Sequence, residues 1–444
     1  MAQQYFGTDG IRGRAGEFPI DPAGGYRLGR AVATILACGA RTFIGRDSRP
    51  SGVALQAAVI EGLRDGGAEV TDLGMVPTPA VAYFVAAHGG AAGVAISASH
   101  NPASENGFKL FGPGGEKLTE RTEARIEAAF EQGGGPTAGR GGQVTRTDAA
   151  AEYVDFAVGT VPAGTDLRGL KVAVDCARGA ASATTPLALQ RLGMEVVTTC
   201  CDADGARINQ ACGSLHPDHV RDVARRCGAS IGLAHDGDGD RLVLVDEQGE
   251  VVNGDRILGL SALALRDRGE LTGGRVVGTI ISNFGLESWL RDHGLTFLRA
   301  DVGDRNVWKM MRHHEADLGG EPSGHTILRR LSRTDDALLT ALHVLALMAS
   351  SGRELHDLAS HIPLLPQDGA DLRVRSKPAL ESVPEVAAAM QQASQLLRDR
   401  GRMVVRYSGT EPVARILAEG WDPPLLNRAV GMVAQAFQLA GIAT

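Results

Sequence analysis

The feature that most limits the fold is one order of elements written three times. RTFIGRDSRPSGVALQAAVIEGLRDGGAEV (41–70) runs from an apolar strand through a loop of Gly, Asp and Ser into an amphipathic helix and a second strand. LKVAVDCARGAASATTPLALQRLGMEVV (170–197) and GRVVGTIISNFGLESWLRDHGLTF (274–297) keep that order. Strand, polar loop, helix, strand is the pattern of βαβ units on a mostly parallel sheet. Their spacing, roughly 110–130 residues, is that of whole domains. The 444-residue chain is therefore expected to hold three related α/β domains with mixed, mostly parallel sheets, over 1–152, 153–253 and 254–365. The Gly-rich EQGGGPTAGRGG (131–142) reads as a surface loop before the first boundary. The tail differs: DLRVRS (371–376), the helix VPEVAAAMQQASQLLRDRG (383–401), strands RMVVRY and VARILAE, and a last helix. That β-α-β-β-α order predicts a small α+β domain over 366–444.

Composition excludes several classes. Apolar runs reach only strand length, too short for a membrane span, and MAQQYFGTDGIRGRAG has neither the basic start nor the apolar stretch of a secretory signal. Six cysteines without a CxxC spacing point to reduced thiols and a cytoplasmic chain. A net charge of −7 with no basic tract argues against nucleic acid as a partner. Only five basic residues are lysine (109, 117, 171, 309, 377) and the rest are arginine. Arginine cannot exchange protons near neutral pH, so each lysine is a candidate for chemistry or charge. None lies in a GxxxxGK[ST] context, which rules out a P-loop.

Four polar loops carry candidate chemistry. In GVAISASHNPASENGFKLF (93–111) a buried-looking strand stops at Ser97, Ser99 and His100, with Lys109 close behind. Open α/β sheets bind ligands at the carboxyl ends of their strands, which makes Ser99 a presented hydroxyl. Neighbours on an extended chain face opposite ways, so Ser99 and His100 are not expected to form a dyad. In AHDGDGDRLVLVDEQG (234–249), Asp236, Asp238 and Asp240 alternate with glycines; in extended form the three carboxylates face one way. Clustered carboxylates need a cation, and all-oxygen ligation suits Mg²⁺, with Arg241 beside it for a phosphate oxygen. LGGEPSGHTI (318–327) offers Glu321, Ser323 and His325 to sugar hydroxyls and proton transfer. RYSGTEPVAR (406–415) offers an anion nest at Ser408, Gly409 and Thr410, flanked by Arg406 and Arg415.

These loops, in this order over the whole chain, resemble the α-D-phosphohexomutases, whose hallmarks are a TASHNP-like serine loop, DGDGDR, GExSGH and RxSGTEP. FGTDGIRG (6–13), INQACGSLHPD (208–218), ISNFGLE (281–287) and VGDR (302–305) are similar to the bacterial branch acting on glucosamine phosphates. Leu215, Pro322 and Asp335–Asp336 depart from the family pattern. The resemblance implies interconversion of glucosamine 6-phosphate and glucosamine 1-phosphate, feeding amino-sugar nucleotide synthesis. It implies a phosphoserine at Ser99 and one Mg²⁺ per site on Asp236, Asp238, Asp240 and the Ser99 phosphate. It further implies a hexosamine 1,6-bisphosphate or glucose 1,6-bisphosphate activator and a closed cleft among four domains. Lys109 and His325 are the implied acid and base, and Arg12, His100 and Arg241 position the phosphate. Glu321 and Ser323 bind the sugar, while Arg406, Ser408, Gly409, Thr410 and Arg415 bind the other phosphate. A homodimer is expected from the family alone. The nearest alternative is a glucose or mannose phosphate mutase of the same family. A non-catalytic sugar-phosphate sensor would have lost Ser99, an aspartate or Lys109, and all are present.

Overall fold

Continuous apolar runs such as Ala92–Ile96 and Ile231–His235 lose every side chain to the interior, as strands covered on both faces must. The structure, a computed structural model, describes residues 5–7, 9–135, 141–408 and 412–443. Its strands form sheets of seven, five, four and three.

The first three sheets share one order. In the first, the neighbouring strands Glu69–Met75, Arg41–Arg46, Ala92–Ile96 and Glu105–Phe111 form the centre; the first three are parallel and the last is antiparallel. Strands Glu195–Thr199, Lys171–Asp175, Ile231–His235 and Leu242–Val245 repeat it, again with only the last reversed. Thr296–Ala300, Arg275–Thr279, Leu318–Gly320 and Thr326–Leu328 follow the same spatial order, with Leu318–Gly320 parallel to Arg275–Thr279 and Thr326–Leu328 antiparallel. The first sheet is extended by Gly10–Arg14, antiparallel to Glu105–Phe111, by Phe6–Gly7, and by Val144–Arg146 on the other edge. The three related α/β sheets and the small C-terminal α+β fold are thus present.

The chain divides into two compact units, Met1–Thr279 with Leu298–Ser360, and Ile280–Phe297 with His361–Thr444. In the first, the helix Ala149–Gly159 runs across the expected boundary at 152/153, and its buried Tyr153 donates to both oxygens of Asp336 at 2.9 and 2.8 Å. In the second, Gln367–Arg373, Val413–Gly420 and Gly401–Tyr407 form an antiparallel sheet covered by Pro384–Leu397 and Pro423–Leu439. Asp422 caps the last helix, with proline in its first turn. The helix Phe284–Asp292 belongs to this unit: Asn283 caps it and also exchanges hydrogen bonds with the backbone of Leu365 at 3.1 and 2.9 Å.

Candidate active site

Three of the four loops occupy the same place in the repeated topology. Residues 97–104, 236–241 and 321–325 each join the third strand of a repeat to its reversed fourth strand. All three lie in the first unit and meet. Ser99 Oγ donates to Asp236 Oδ2 at 2.6 Å, and His325 Nε2 lies 3.1 Å from Asp240 Oδ1.

Ser99 is fully buried with φ +52°, the left-handed region that an L-residue enters at a penalty of about 1–2 kcal/mol. The surroundings hold it there. Its N–H donates to Ser97 Oγ at 2.8 Å, and Ser97 Oγ donates to Asp47 Oδ2 at 2.7 Å. Its carbonyl accepts from Arg49 Nη2 and Asn209 Nδ2, both at 2.9 Å, and the same two side chains bind the carbonyl of Asn101. The left-handed backbone also overturns the expectation that Ser99 and His100 face apart. The chain is not extended there, and His100 Nδ1 sits 3.2 Å from Ser99 Oγ. Burial, with Arg241 and Arg12 nearby, lowers His100 to about 4, so its imidazole is neutral at physiological pH.

The three aspartates converge as expected, but through a turn rather than an extended run: Gly239 has φ +73°. A Cβ on Gly237 would lie 2.7 Å from Ser99 O, so the two loops pack this closely only with glycine there. One ligand atom from each carboxylate lies within 4.8 Å of the others, and all three residues are buried. Burial, then Asp240 and Asp238, push Asp236 up to about 7. Asp238 Oδ2 accepts from Thr78 Oγ1 at 2.6 Å, whereas Asp238 Oδ1 has no hydrogen-bond partner among the described residues. A buried orphan oxygen among three carboxylates fits a hard divalent cation.

Lys109 Nζ lies 2.7 Å from Asp238, 2.6 Å from Asp240 and 3.1 Å from Asp9. Burial opposes its charge, but Asp238, Asp240 and Asp9 hold it well above the usual lysine range. At rest Lys109 is therefore an ammonium, a positive charge and hydrogen-bond donor among these carboxylates. His325 Nδ1 donates to Glu321 Oε2 at 2.8 Å, and Arg241 Nε approaches its Nε2 at 3.1 Å. Burial works against its charge too, yet Asp335 and Asp240 raise His325 well above its ordinary value. Glu321 Oε1 also accepts from the N–H of Gly303 at 2.8 Å. Ser323 is exposed at the tip of the turn. Arg12 pairs with Asp9.

Several residues here escaped the sequence reading. Asp9 and Asp304 both bind Lys117, and Asp47 and Arg49 anchor the serine loop. The scarcity of lysine was the usable signal for Lys117. Lys377 answers to it as well, donating to Ser408 O at 2.5 Å. In the second unit Ser408 is buried and its N–H donates to Val413 O at 2.8 Å. Arg406 and Arg415 are direct cross-strand partners, and Asp371, opposite Arg415 on its other side, lies 3.9 Å from its Nε. Gly409 and Thr410 lie outside the described residues.

The chain matches four family models of phosphoglucomutase/phosphomannomutase: alpha/beta/alpha domain I at residues 3–135, domain II at 151–249, domain III at 253–365 and the C-terminal domain at 371–436. It is 42% identical over 442 residues to a phosphoglucosamine mutase of Mesorhizobium japonicum, covering 98% of each chain. A phosphoglucosamine mutase of Pelotomaculum thermopropionicum is 43% identical over 434 residues, covering 96% of this chain and 97% of that one. Among solved structures, a phosphoglucomutase/phosphomannomutase family protein of Burkholderia thailandensis superposes with a TM-score of 0.84 at 27% identity, covering 98% and 97% of the two chains. An Aspergillus fumigatus N-acetylphosphoglucosamine mutase, solved with GlcNAc-6P and magnesium, shares the fold with a TM-score of 0.66 at 18% identity, covering 99% and 96%.

Proposed function

The chain belongs to the phosphoglucomutase/phosphomannomutase family, and on that premise we propose that it is a phosphoglucosamine mutase, an isomerase interconverting glucosamine 6-phosphate and glucosamine 1-phosphate. The observation that carries this is the buried Ser99 hydroxyl, held in a left-handed turn 2.6 Å from one of three clustered aspartates.

In this reading Ser99 carries the phosphoryl group between turnovers. The sugar's existing phosphate rests on Arg406, Ser408, Gly409, Thr410 and Arg415. Its free hydroxyl attacks the phosphorus; the new O–P bond forms as the bond to Ser99 Oγ breaks, giving a sugar 1,6-bisphosphate. After turning over, the bisphosphate returns its other phosphoryl group to Ser99. A hexosamine 1,6-bisphosphate or glucose 1,6-bisphosphate would recharge an enzyme that has lost its phosphate. Lys109 and His325 are the acid and base of this reading: both rest protonated, so one gives its proton to Ser99 Oγ as the P–O bond breaks and then takes up the proton that the attacking hydroxyl releases, and the neutral His100 faces that oxygen. Arg12 and Arg241 hold phosphoryl oxygens, and Glu321 and Ser323 hold sugar hydroxyls while Glu321 also orients His325. Mg²⁺ on Asp236, Asp238 and Asp240, when bound, would supply positive charge to the transferring phosphoryl group. No helix among the described residues is long and apolar enough to cross a membrane, and the reading carries with it a cytoplasmic location and the family's homodimer.

The test is kcat/KM on glucosamine, glucose, mannose and N-acetylglucosamine phosphates side by side, each with its bisphosphate. Glucosamine phosphate should lead by about tenfold to a hundredfold, since a hydrogen bond to a charged group contributes about 1.5–3 kcal/mol. A lead for glucose or mannose phosphate refutes the substrate. Intact-mass analysis should place a phosphoryl group on Ser99, and Ser99→Ala should lose nearly all turnover while folding normally; an active alanine variant refutes the carrier.

A further inference from the structure

We infer that the second repeat carries a thiolate metal site, separate from the three aspartates and suited to a zinc-type divalent cation. Asp175 ends the strand Lys171–Asp175, Cys200 follows the strand Glu195–Thr199, and Cys212 lies in the loop before the helix Pro217–Cys227. One carboxylate oxygen and the two sulfurs all lie within 4.8 Å of one another, with Asp175 and Cys212 buried and Cys200 half-buried. His219, in the first turn of that helix, points Nε2 at Cys200 Sγ from 3.5 Å. Two sulfurs, an imidazole and a carboxylate make four donors of the types zinc takes in tetrahedral sites. With metal–sulfur bonds of about 2.3 Å and metal–nitrogen bonds of about 2.0–2.1 Å, tetrahedral sulfur and nitrogen neighbours stand about 3.5–3.8 Å apart; the carboxylate and the two sulfurs would draw together from within 4.8 Å, and His219 would swing in from beside Cys200 as the fourth donor. His219 would exchange its present bond to Thr199 Oγ1 (2.8 Å) for the cation.

The surroundings complete such a site. Asp175 is oriented by two backbone N–H groups, Ala177 to Oδ1 at 2.8 Å and Gly213 to Oδ2 at 2.9 Å. Arg178 Nη1 lies 3.1 Å from Cys212 Sγ and 3.2 Å from Gln210 O. A dication with two thiolates, one carboxylate and a neutral imidazole keeps one negative charge, and the Arg178 guanidinium cancels it. Partners of this kind outside the ligand shell orient and tune metal ligands. Burial pushes both thiols up, so they stay protonated until a cation replaces their protons. The site would also matter to the serine loop. The segment between Cys200 and Cys212 carries Asn209, whose side chain binds the carbonyls of Ser99 and Asn101. A cation joining the two cysteines would brace that clamp without touching substrate.

The test uses the full chain, purified reduced, incubated with Zn²⁺ and dialysed against excess Mg²⁺, with zinc measured by elemental analysis. A parallel sample takes Co²⁺, whose sulfur-to-metal charge-transfer absorption arises only from thiolate ligation. One zinc per chain and that absorption are expected, with both lost in Cys200→Ser and Cys212→Ser and both kept in Asp238→Asn. Arg178→Gln should weaken zinc binding about 10- to 100-fold, as loss of such partners does at metal sites. Absence of retained zinc and of the absorption in the wild-type chain overturns the inference, even if the serine variants fail to fold. So does binding that survives both serine substitutions, or a resting mass short by the two thiol hydrogens of a Cys200–Cys212 disulfide.

Discussion

Arg49→Met removes the guanidinium that fixes the serine loop, and its effect can be worked from the contacts. Arg49 is fully buried; its Nε and N–H bind Asp47 at 2.9 and 3.0 Å, and its other nitrogens bind the carbonyls of Ser99, Asn101, Pro102 and Glu105. Methionine fills much of the volume but leaves Asp47 charged, buried and unpaired. Breaking a buried pair from one side costs about 3–5 kcal/mol. For a domain of about 150–250 residues each kcal/mol moves Tm by about 2–4 °C, so the transition releasing the first repeat should fall by about 6–20 °C. Thermal melts give the shift, and hydrogen exchange across residues 92–111 assigns it to this loop. Asp47→Asn added to Arg49→Met removes the stranded charge and should recover part of the loss. The phosphorylated fraction at Ser99 should fall in the single variant, because Ser99 would lose one of the two donors on its carbonyl. A Tm drop under about 2 °C, or a double variant no more stable than the single, refutes the reasoning.

Three further outcomes are expected. EDTA should abolish turnover and Mg²⁺ restore it, and Asp238→Asn should weaken that metal dependence in a folded protein; full-rate turnover in chelator refutes the carboxylate site. Arg415→Ala removes a charge-assisted contact worth about 1.5–3 kcal/mol, so kcat/KM should fall about tenfold to a hundredfold through a raised KM, and an unchanged KM refutes the assignment. Burial pushes Asp336 up to about 7, against about 3.9 unfolded, so the folded state binds the extra proton and gains stability that is full below about pH 4 and lost as pH rises through about 7. The Tm difference between wild type and Asp336→Asn should therefore shift against the wild type between pH 5 and pH 8; a difference unchanged over that range refutes it.

Local signals in the sequence reached as far as single loops. The three strand–loop–helix repeats, the serine loop, the DGDGDR turn and the Glu321–His325 pair were readable because each is written in contiguous residues. Their meeting was not readable from spacing, since Ser99 and Asp236 stand far apart in the chain and join only through the shared place of their loops in the repeats. Asp47 and Arg49 looked like loop polarity; their role depends on carbonyls some fifty residues on, which no local pattern reveals. Asp9 and Asp304 acquire meaning through the distant Lys117, and Asp9 also through Lys109. The extended-chain argument failed at Ser99 and at Gly239 for one reason: both adopt positive φ, and a two-residue alternation does not survive a left-handed step.

The left-handed turn at Ser99 also decides which alcohol can serve as the carrier. Threonine offers the same nucleophile and forms an equally good phosphate ester, but its branched Cβ makes it a genuine outlier at a φ of +52°. The backbone thus chooses between two chemically equivalent residues before either meets a sugar. The choice is stereochemical, made by Ser97 in the same loop and by Arg49 and Asn209 from two others.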